Sequence, residues 1–223
     1  MKEIRHIHVG TVASTNDEAK KLIGAGEKTP FLFTADVQTH GKGTHGRTFL
    51  SPEGGLYMSL ALPVKSVSDS VYFTSLAAVA VCEVLREHEK LDARIKWIND
   101  ILLDGKKLVG ILCEGVPAQS GGHIIIGIGI NCRRTVFPPE LRDVAASYDG
   151  SYPRVLAELI TDRIIELVKT ERSVILEKYR AMCTTVGQTL DFGGRKLKAV
   201  GIDDDFGLIV TDGKDIFVKR NAD

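Results

Sequence analysis

GKGTHGRTFLSPEGGLYMSLAL, residues 41–62, is the stretch on which the fold turns. Its first eight residues nearly spell G-x-x-x-x-G-K-[ST], the phosphate-cradling P-loop, with Arg47 where the lysine belongs. A P-loop works because a helix starts directly after that lysine and aims its first backbone N–H groups at the phosphate. Here Arg47-Thr48 runs into FLSPEGG, and Pro52, Gly54 and Gly55 forbid a helix of useful length. The next residues, LYMSLALP (56–63), read as a strand stopped by Pro63. With the apolar run FLFTADV (31–37) upstream, the segment is strand–loop–strand and the P-loop match is accidental. The loop still holds three glycines, Gly41, Gly43 and Gly46, and two cations, Lys42 and Arg47. Glycines let the backbone approach a ligand closely, and the cations suit anionic oxygens. An exposed hairpin loop with solvated cations accounts for the same residues.

Outward from this loop the pattern alternates between strand and helix. Residues 3–9 alternate as a strand. Ser14 or Thr15 then caps a helix, with Asp17 or Glu18 in capping-box position and Ala19, Leu22 and Ile23 as its apolar face. Residues 69–89 form a long helix with the stripe Val71, Leu76, Val79, Ala80 and Leu85. Asp104-Gly105 is a type I′ hairpin turn between apolar runs, and HIIIGIGIN (123–131) is a central strand. Residues 152–182 read as two helices. From Gln188 onward short strands alternate with Gly and Asp turns, a small β module with a domain boundary near Gly187.

Composition excludes several classes. The 223 residues suffice for one substantial core with a small appendage. Lys+Arg and Asp+Glu balance at 29 each, which argues against unspecific nucleic-acid binding. No apolar run reaches the length of a membrane span, and MKEIRHIHVG carries no secretory h-region. Cys82, Cys113, Cys132 and Cys183 are far apart without a C-x-x-C, as expected of thiols in a cytoplasmic protein. His6 and His8 share a strand face, but no third metal ligand is placed beside them.

Two further segments bear on the loop. KWIND (96–100) gathers Lys96, Trp97, Asn99 and Asp100 at a strand end. Lys107 enters the apolar strand LVGIL, which is costly unless its ammonium meets an anion or snorkels out. In GIGIN, Gly127 and Gly129 share one strand face, open to a ligand or another backbone, and Asn131 follows as a two-way hydrogen-bonder.

Taken together, STN (14–16), ADVQTHGKGTHGR (35–47), SPEGGLYMSLAL (51–62), KWIND-x6-KLVGIL (96–112) and IGIGIN (126–131) resemble biotin protein ligases in order and spacing. The resemblance implies an α+β fold of the class II aminoacyl-tRNA synthetase/biotin ligase type. A mixed, largely antiparallel sheet carries helices packed on one face (residues 1–186), followed by a small SH3-like β barrel (187–223). It implies a cytoplasmic enzyme that activates biotin with ATP and Mg²⁺ as biotinyl-5′-AMP and passes it to a lysine of a biotin carboxyl carrier protein. A homodimer is compatible with it.

Carried over position by position, the resemblance assigns catalysis to Lys107, Arg47 and Asp100. Biotin falls to Ser14, Thr15, Asn16, Gln38, Gly41, Lys42, Lys107 and Gly110. ATP falls to Lys42, Gly43, Arg47, Phe49, Asn99, Gly129 and Asn131, with Phe49 stacking near the adenine. Mg²⁺ arrives on the ATP phosphates, with Asp100 the one protein carboxylate for it. The loop is expected to be mobile when empty and to order over the adenylate. The chain departs from the family's G-R-G-R-x-G-R loop at Lys42 and at uncharged Thr44, which predicts weaker adenylate retention. No DNA-binding segment precedes the first strand, so no repressor role is expected. Two alternatives stay open: a lipoate-type ligase, whose arginine-rich G-G-G segment is absent, and a biotin or adenylate sensor without turnover. An octanoyl transferase needs a catalytic cysteine, and neither Cys113 nor Cys132 has an activating partner in the sequence.

Overall fold

The computed structural model describes residues 4–119, 121–133 and 137–220, the side chain of His45 excepted. Glu3 of the expected first strand and the last three residues lie outside them. β1 (Arg5–Val12) and β2 (Phe31–Gln38) are parallel and joined by α1 (Thr15–Gly24), the crossover that a parallel pair requires. β3 (Leu56–Val64) pairs antiparallel with β2 and, on its other side, with β7 (Gly122–Ile130). β4 (Arg94–Lys96), β5 (Asp100–Leu103) and β6 (Lys106–Pro117) complete a seven-stranded mixed sheet in the order β1-β2-β3-β7-β6-β5-β4. Asp104 and Gly105, at φ +51° and +77°, turn β5 into β6 as the type I′ reading requires.

Five expectations need correction. Pro63 does not stop β3, which runs to Val64 opposite Gly122. β2 pairs only as far as Ala61, so the missing N–H of Pro63 faces no partner on that side. The capping box does not form either. Ser14 occupies the N-cap position but accepts no capping bond, and Asp17 and Glu18 pair with Lys42 and Lys21 instead.

The helices, too, cover both faces of the sheet rather than one. α2 (Ser70–Glu87), α3 (Pro153–Leu167) and α4 (Arg172–Met182) pack on the face that presents Leu32, Leu60 and Ile126. α1 covers the other face, its Ala19, Leu22 and Ile23 against Phe31, Phe33, Ala61 and Ile125. Period-two alternation along strands that are apolar at consecutive positions makes two apolar faces, and each must be covered. Finally, α2 is buried continuously from Phe73 to Leu85, not along one stripe. By length and composition Val67–Glu87 would reach across a membrane, contrary to the sequence reading; here most of it is buried as the core helix. Glu83 within it is paired by Arg163 of α3 at 3.7 Å and by Lys178 of α4.

The C-terminal strands β8 (Thr189–Phe192), β9 (Arg195–Ile202), β10 (Leu208–Thr211) and β11 (Ile216–Lys219) form a second, antiparallel sheet in the order β11-β10-β9-β8. Its inner residues Leu197, Ala199, Leu208 and Val210 join the α2–α4 core. Trp97 of KWIND is part of this join, its indole N–H donating to the Phe206 carbonyl at 2.8 Å.

Candidate active site

The glycine loop is a short hairpin over the ends of β2 and β3. Gln38 bridges to Ser51 and Lys42 to Thr48, with Phe49 N donating to Gly41 O at 2.9 Å and Gly43 N to Arg47 O at 2.7 Å. Thr44–Gly46 make one 3₁₀ turn, closed by Gly46 at φ +71°. No helix follows, so there is no P-loop. Gly41 is buried under this hairpin, where a Cβ would run into Phe49 O and lie 3.1 Å from Gln38 Nε2.

Beneath the loop a chain of hydrogen bonds forms a polar floor. Gln38 Nε2 donates to Ser51 Oγ (2.9 Å), and Ser51 Oγ donates to Phe49 O (2.9 Å). Gln38 Oε1 accepts from both the backbone N (2.9 Å) and the hydroxyl (3.1 Å) of Thr15. Ser59 Oγ lies 2.8 Å from Thr15 Oγ1 and 2.6 Å from Asn16 Oδ1. Asn16 Nδ2 donates to Glu114 Oε2 (2.7 Å) and Leu112 O (3.2 Å). Ser14, Thr15, Asn16, Ser51 and Ser59 are all buried. Thr15, Asn16, Ser51 and Ser59 can be buried here because each side chain has a partner.

The other end of the cleft is charged. Lys107 Nζ meets Asp100 Oδ1 at 2.6 Å, the anion that its entry into an apolar strand demanded. Gly110 and Gly129 face each other across β6 and β7, making a patch without Cβ atoms. The Phe49 ring lies on that patch: a Cβ on Gly129 would be 2.5 Å from its Cε1 and one on Gly110 3.0 Å from its Cε2. Lys107 Nζ stands 5.8 Å from the ring centroid, within cation–π range. Lys42 pairs with Asp17 of α1 at 2.6 Å, and Arg47 folds back on Thr44, its guanidinium donating to the Thr44 hydroxyl at 3.0 Å.

One cleft is therefore lined by Ser14, Thr15, Asn16, Gln38, Lys42, Gly43, Arg47, Phe49, Asn99, Lys107, Gly110 and Gly129. Of the residues that the resemblance assigns to catalysis, biotin or ATP, Gly41, Asp100 and Asn131 do not line it. Gly41 supports the loop, Asp100 holds Lys107, and the buried Asn131 donates to Ala146 O at 3.0 Å. Sequence reading missed Ser51, Ser59 and Glu114. A serine inside the apolar strand LYMSLAL and a glutamate closing LVGILCE were the available signals. Neither names its partner, because the partners lie on other elements.

Two alternative chemistries lack support. None of the four cysteines is joined in a disulfide, and burial pushes the thiols of Cys113 and Cys132 up to about 12 and about 11, the wrong direction for a nucleophile. His6 Nε2 and His8 Nδ1 both hydrogen-bond Thr34 Oγ1, at 2.8 and 3.0 Å, and no group of three metal-ligating side chains occurs among the described residues.

A polar floor, a cationic end and a glycine hairpin between them invite comparison with known proteins. Residues 10–131 match the model of the Biotin/lipoate A/B protein ligase family, more than half of the chain. The chain belongs to this family. It is 40% identical over 146 residues to the bifunctional ligase/repressor BirA of Bacillus subtilis, covering 63% of this chain and 45% of that protein. It is 30% identical over 196 residues to the biotin–protein ligase of Homo sapiens, covering 78% of this chain and 27% of that one. The chain thus spans less than half the length of these two relatives. The structure of the Aquifex aeolicus biotin protein ligase in complex with biotin and ATP superposes with a TM-score of 0.81 at 26% identity, over 97% of this chain and 96% of that one. The Leishmania major biotin protein ligase in complex with biotinyl-5-AMP gives 0.68 at 26% identity, over 99% and 100%. The family fold is the mixed seven-stranded sheet with its helices and the C-terminal four-stranded sheet.

Proposed function

We propose that the chain is an ATP-dependent biotin–protein ligase of the cytoplasm, acting on a lysine of a biotin carboxyl carrier protein. The observation that carries this is the cleft: hydrogen-bonding groups on a buried floor, Lys107 beside the glycine patch, and Lys42 and Arg47 on the hairpin above. A ureido ring is a compact set of donors and acceptors, suited to Ser14, Thr15, Asn16 and Gln38. In the first step a biotin carboxylate oxygen bonds to the α-phosphorus of ATP and the bond to pyrophosphate breaks. Two anions must meet, so cations stabilise the charge on the transferring group. Lys107 is the best placed for this, held upright by Asp100 beside the glycine patch. In the second step the carrier lysine attacks the acyl carbon, the bond to the phosphate oxygen breaks and AMP leaves. Asp100 orients the incoming amine.

Asp100 is the carboxylate paired with Lys107, an oxygen donor that suits a Mg²⁺ brought in on ATP phosphates. That ion would offset phosphate charge; the protein's own part is the lysine–aspartate pair. Phe49 lies over Gly110 and Gly129, so a nucleotide reaching those glycines displaces the ring. The proposal includes residues 187–223 as a separate module that holds Trp97, and with it KWIND, in place. The complexes of the Aquifex aeolicus ligase with biotin and ATP and of the Leishmania major ligase with biotinyl-5-AMP support the same substrates.

A single-turnover experiment with α-labelled ATP, Mg²⁺ and biotin, with and without a carrier domain, tests this. Labelled biotinyl-AMP that is consumed to AMP and biotinylated carrier is the expected result. Biotin binding without adenylate would favour a sensor, and no biotin binding would send the search to lipoate.

A further inference from the structure

We propose that Glu114 is a positioning residue that decides which side of the Asn16 amide the substrate meets, making the cleft selective for ligands that present an N–H donor. This rests on the biotin reading above. A side-chain amide has two N–H donors on one arm and an acceptor oxygen on the other. At Asn16 both donors are taken: Glu114 Oε2 at 2.7 Å and Leu112 O at 3.2 Å. A carboxylate and a carbonyl only accept, so turning the amide over would aim Oδ1 at two other oxygens. Asn16 Oδ1 therefore faces Ser59 Oγ, at 2.6 Å, and keeps one lone pair. Asn16 can accept from a ligand and has no N–H left to donate.

The anchor is itself anchored. Lys20 Nζ holds the second oxygen, Oε1, of Glu114 at 2.5 Å. Asn16 and Lys20 are four residues apart on α1, hence on one face, and both reach the same carboxylate of β6. Beneath the amide lies Gly127, where a Cβ would be 2.8 Å from both Cγ and Nδ2 of Asn16, so the amide seats flat on β7. A charge-assisted hydrogen bond is worth about twice a neutral one, so Glu114 outweighs Leu112 O in fixing the orientation. The ureido ring of biotin carries two N–H groups, and the dithiolane of lipoate carries none. An amide locked as an acceptor matches the first and offers the second nothing.

The test is a titration with biotin and, separately, with ATP, of the full chain and four variants: Glu114→Met, Glu114→Gln, Asn16→Ala and the Asn16→Ala/Glu114→Met pair. Glu114→Met fills the space without an acceptor and should weaken biotin binding about tenfold, the scale of one mispaired buried polar group, with ATP affinity unchanged. Glu114→Gln keeps an acceptor and should recover most of the loss. In the Asn16→Ala background Glu114→Met should cost nothing more. The ¹⁵N-resolved side-chain amide of Asn16 should shift in Glu114→Met and much less in Glu114→Gln, which reads the orientation without any ligand. A tenfold loss that persists in the Asn16→Ala background, an equal loss for ATP, or an unmoved Asn16 amide overturns the proposal. If the unaltered chain binds no biotin, the ligase reading falls, whereas unaltered biotin affinity in Glu114→Met removes only the role of Glu114.

Discussion

Gly127→Ala should cost both stability and biotin affinity, while the same change two residues along, Gly129→Ala, should spare both. Both glycines project to one face of β7, and neither has a positive φ, so backbone strain does not separate them. What separates them is what the new methyl meets. On Gly127 it would lie 2.8 Å from two atoms of Asn16, where ordinary contact begins at 3.4 Å, and closer still to Oδ1. Asn16 cannot yield without leaving Glu114, Leu112 O and Ser59. Losing one charge-assisted and one or two neutral hydrogen bonds costs roughly 2–4 kcal/mol. The entropy gained by replacing glycine with alanine returns about 0.4–1 kcal/mol. The net, about 1–3.5 kcal/mol, lowers Tm by roughly 2–14 °C in a chain of this size. On Gly129 the methyl meets the edge of the Phe49 ring, at 2.5 and 2.9 Å, and that ring sits on a half-buried loop that can swing aside. Stability should change by less than about 1 kcal/mol, biotin should bind as before, and ATP should bind differently. Thermal melts and separate biotin and ATP titrations read all of this. A Gly127→Ala protein that melts and binds biotin like the unaltered chain would refute the rigid floor.

Lys107→Met should slow adenylate formation about 10²–10³-fold, the usual cost of removing one preorganised charge at a reacting phosphoryl group; undiminished pyrophosphate release would reject that role. Asp17→Asn frees Lys42 from an exposed ion pair and should tighten ATP binding by no more than about fivefold, as surface pairs are weak. Weaker binding would show that Asp17 supports the loop. Thr44→Arg adds a cation to the hairpin and should slow adenylate release about tenfold in a filter-binding chase; a faster release would mean that the hydroxyl accepting from Arg47 matters more. For His6, burial, then Arg154 and His8, hold the imidazole below its ordinary value of 6.5, against an opposing pull from Glu158. The unfolded chain then binds the proton more readily, so stability is present above pH 6.5 and falls as pH drops below it. His6→Gln should flatten the Tm-against-pH curve between about pH 7 and 5, and an unchanged slope would assign that loss to other groups.

Local chemistry alone settled the features that reside within one segment. Pro52, Gly54 and Gly55 end any helix after Arg47, whatever the rest of the chain does. Asp104-Gly105 dictates its own turn, and the runs at 31–37, 56–63 and 123–131 are strands by composition. Gly41, Lys42, Gly43 and Arg47 were legible as a ligand-facing loop. Their partners were not. Asp17 meets Lys42 from 25 residues away, and Glu114 meets Asn16 from 98. The helix α1 covers the second face of the sheet, and Phe49 covers Gly110 and Gly129 because those two glycines are paired across strands. Propensity and periodicity say which way a side chain points along its own element. They carry nothing about the register between β6 and β7 or the seat of α1 on the sheet, which only burying both apolar faces at once decides.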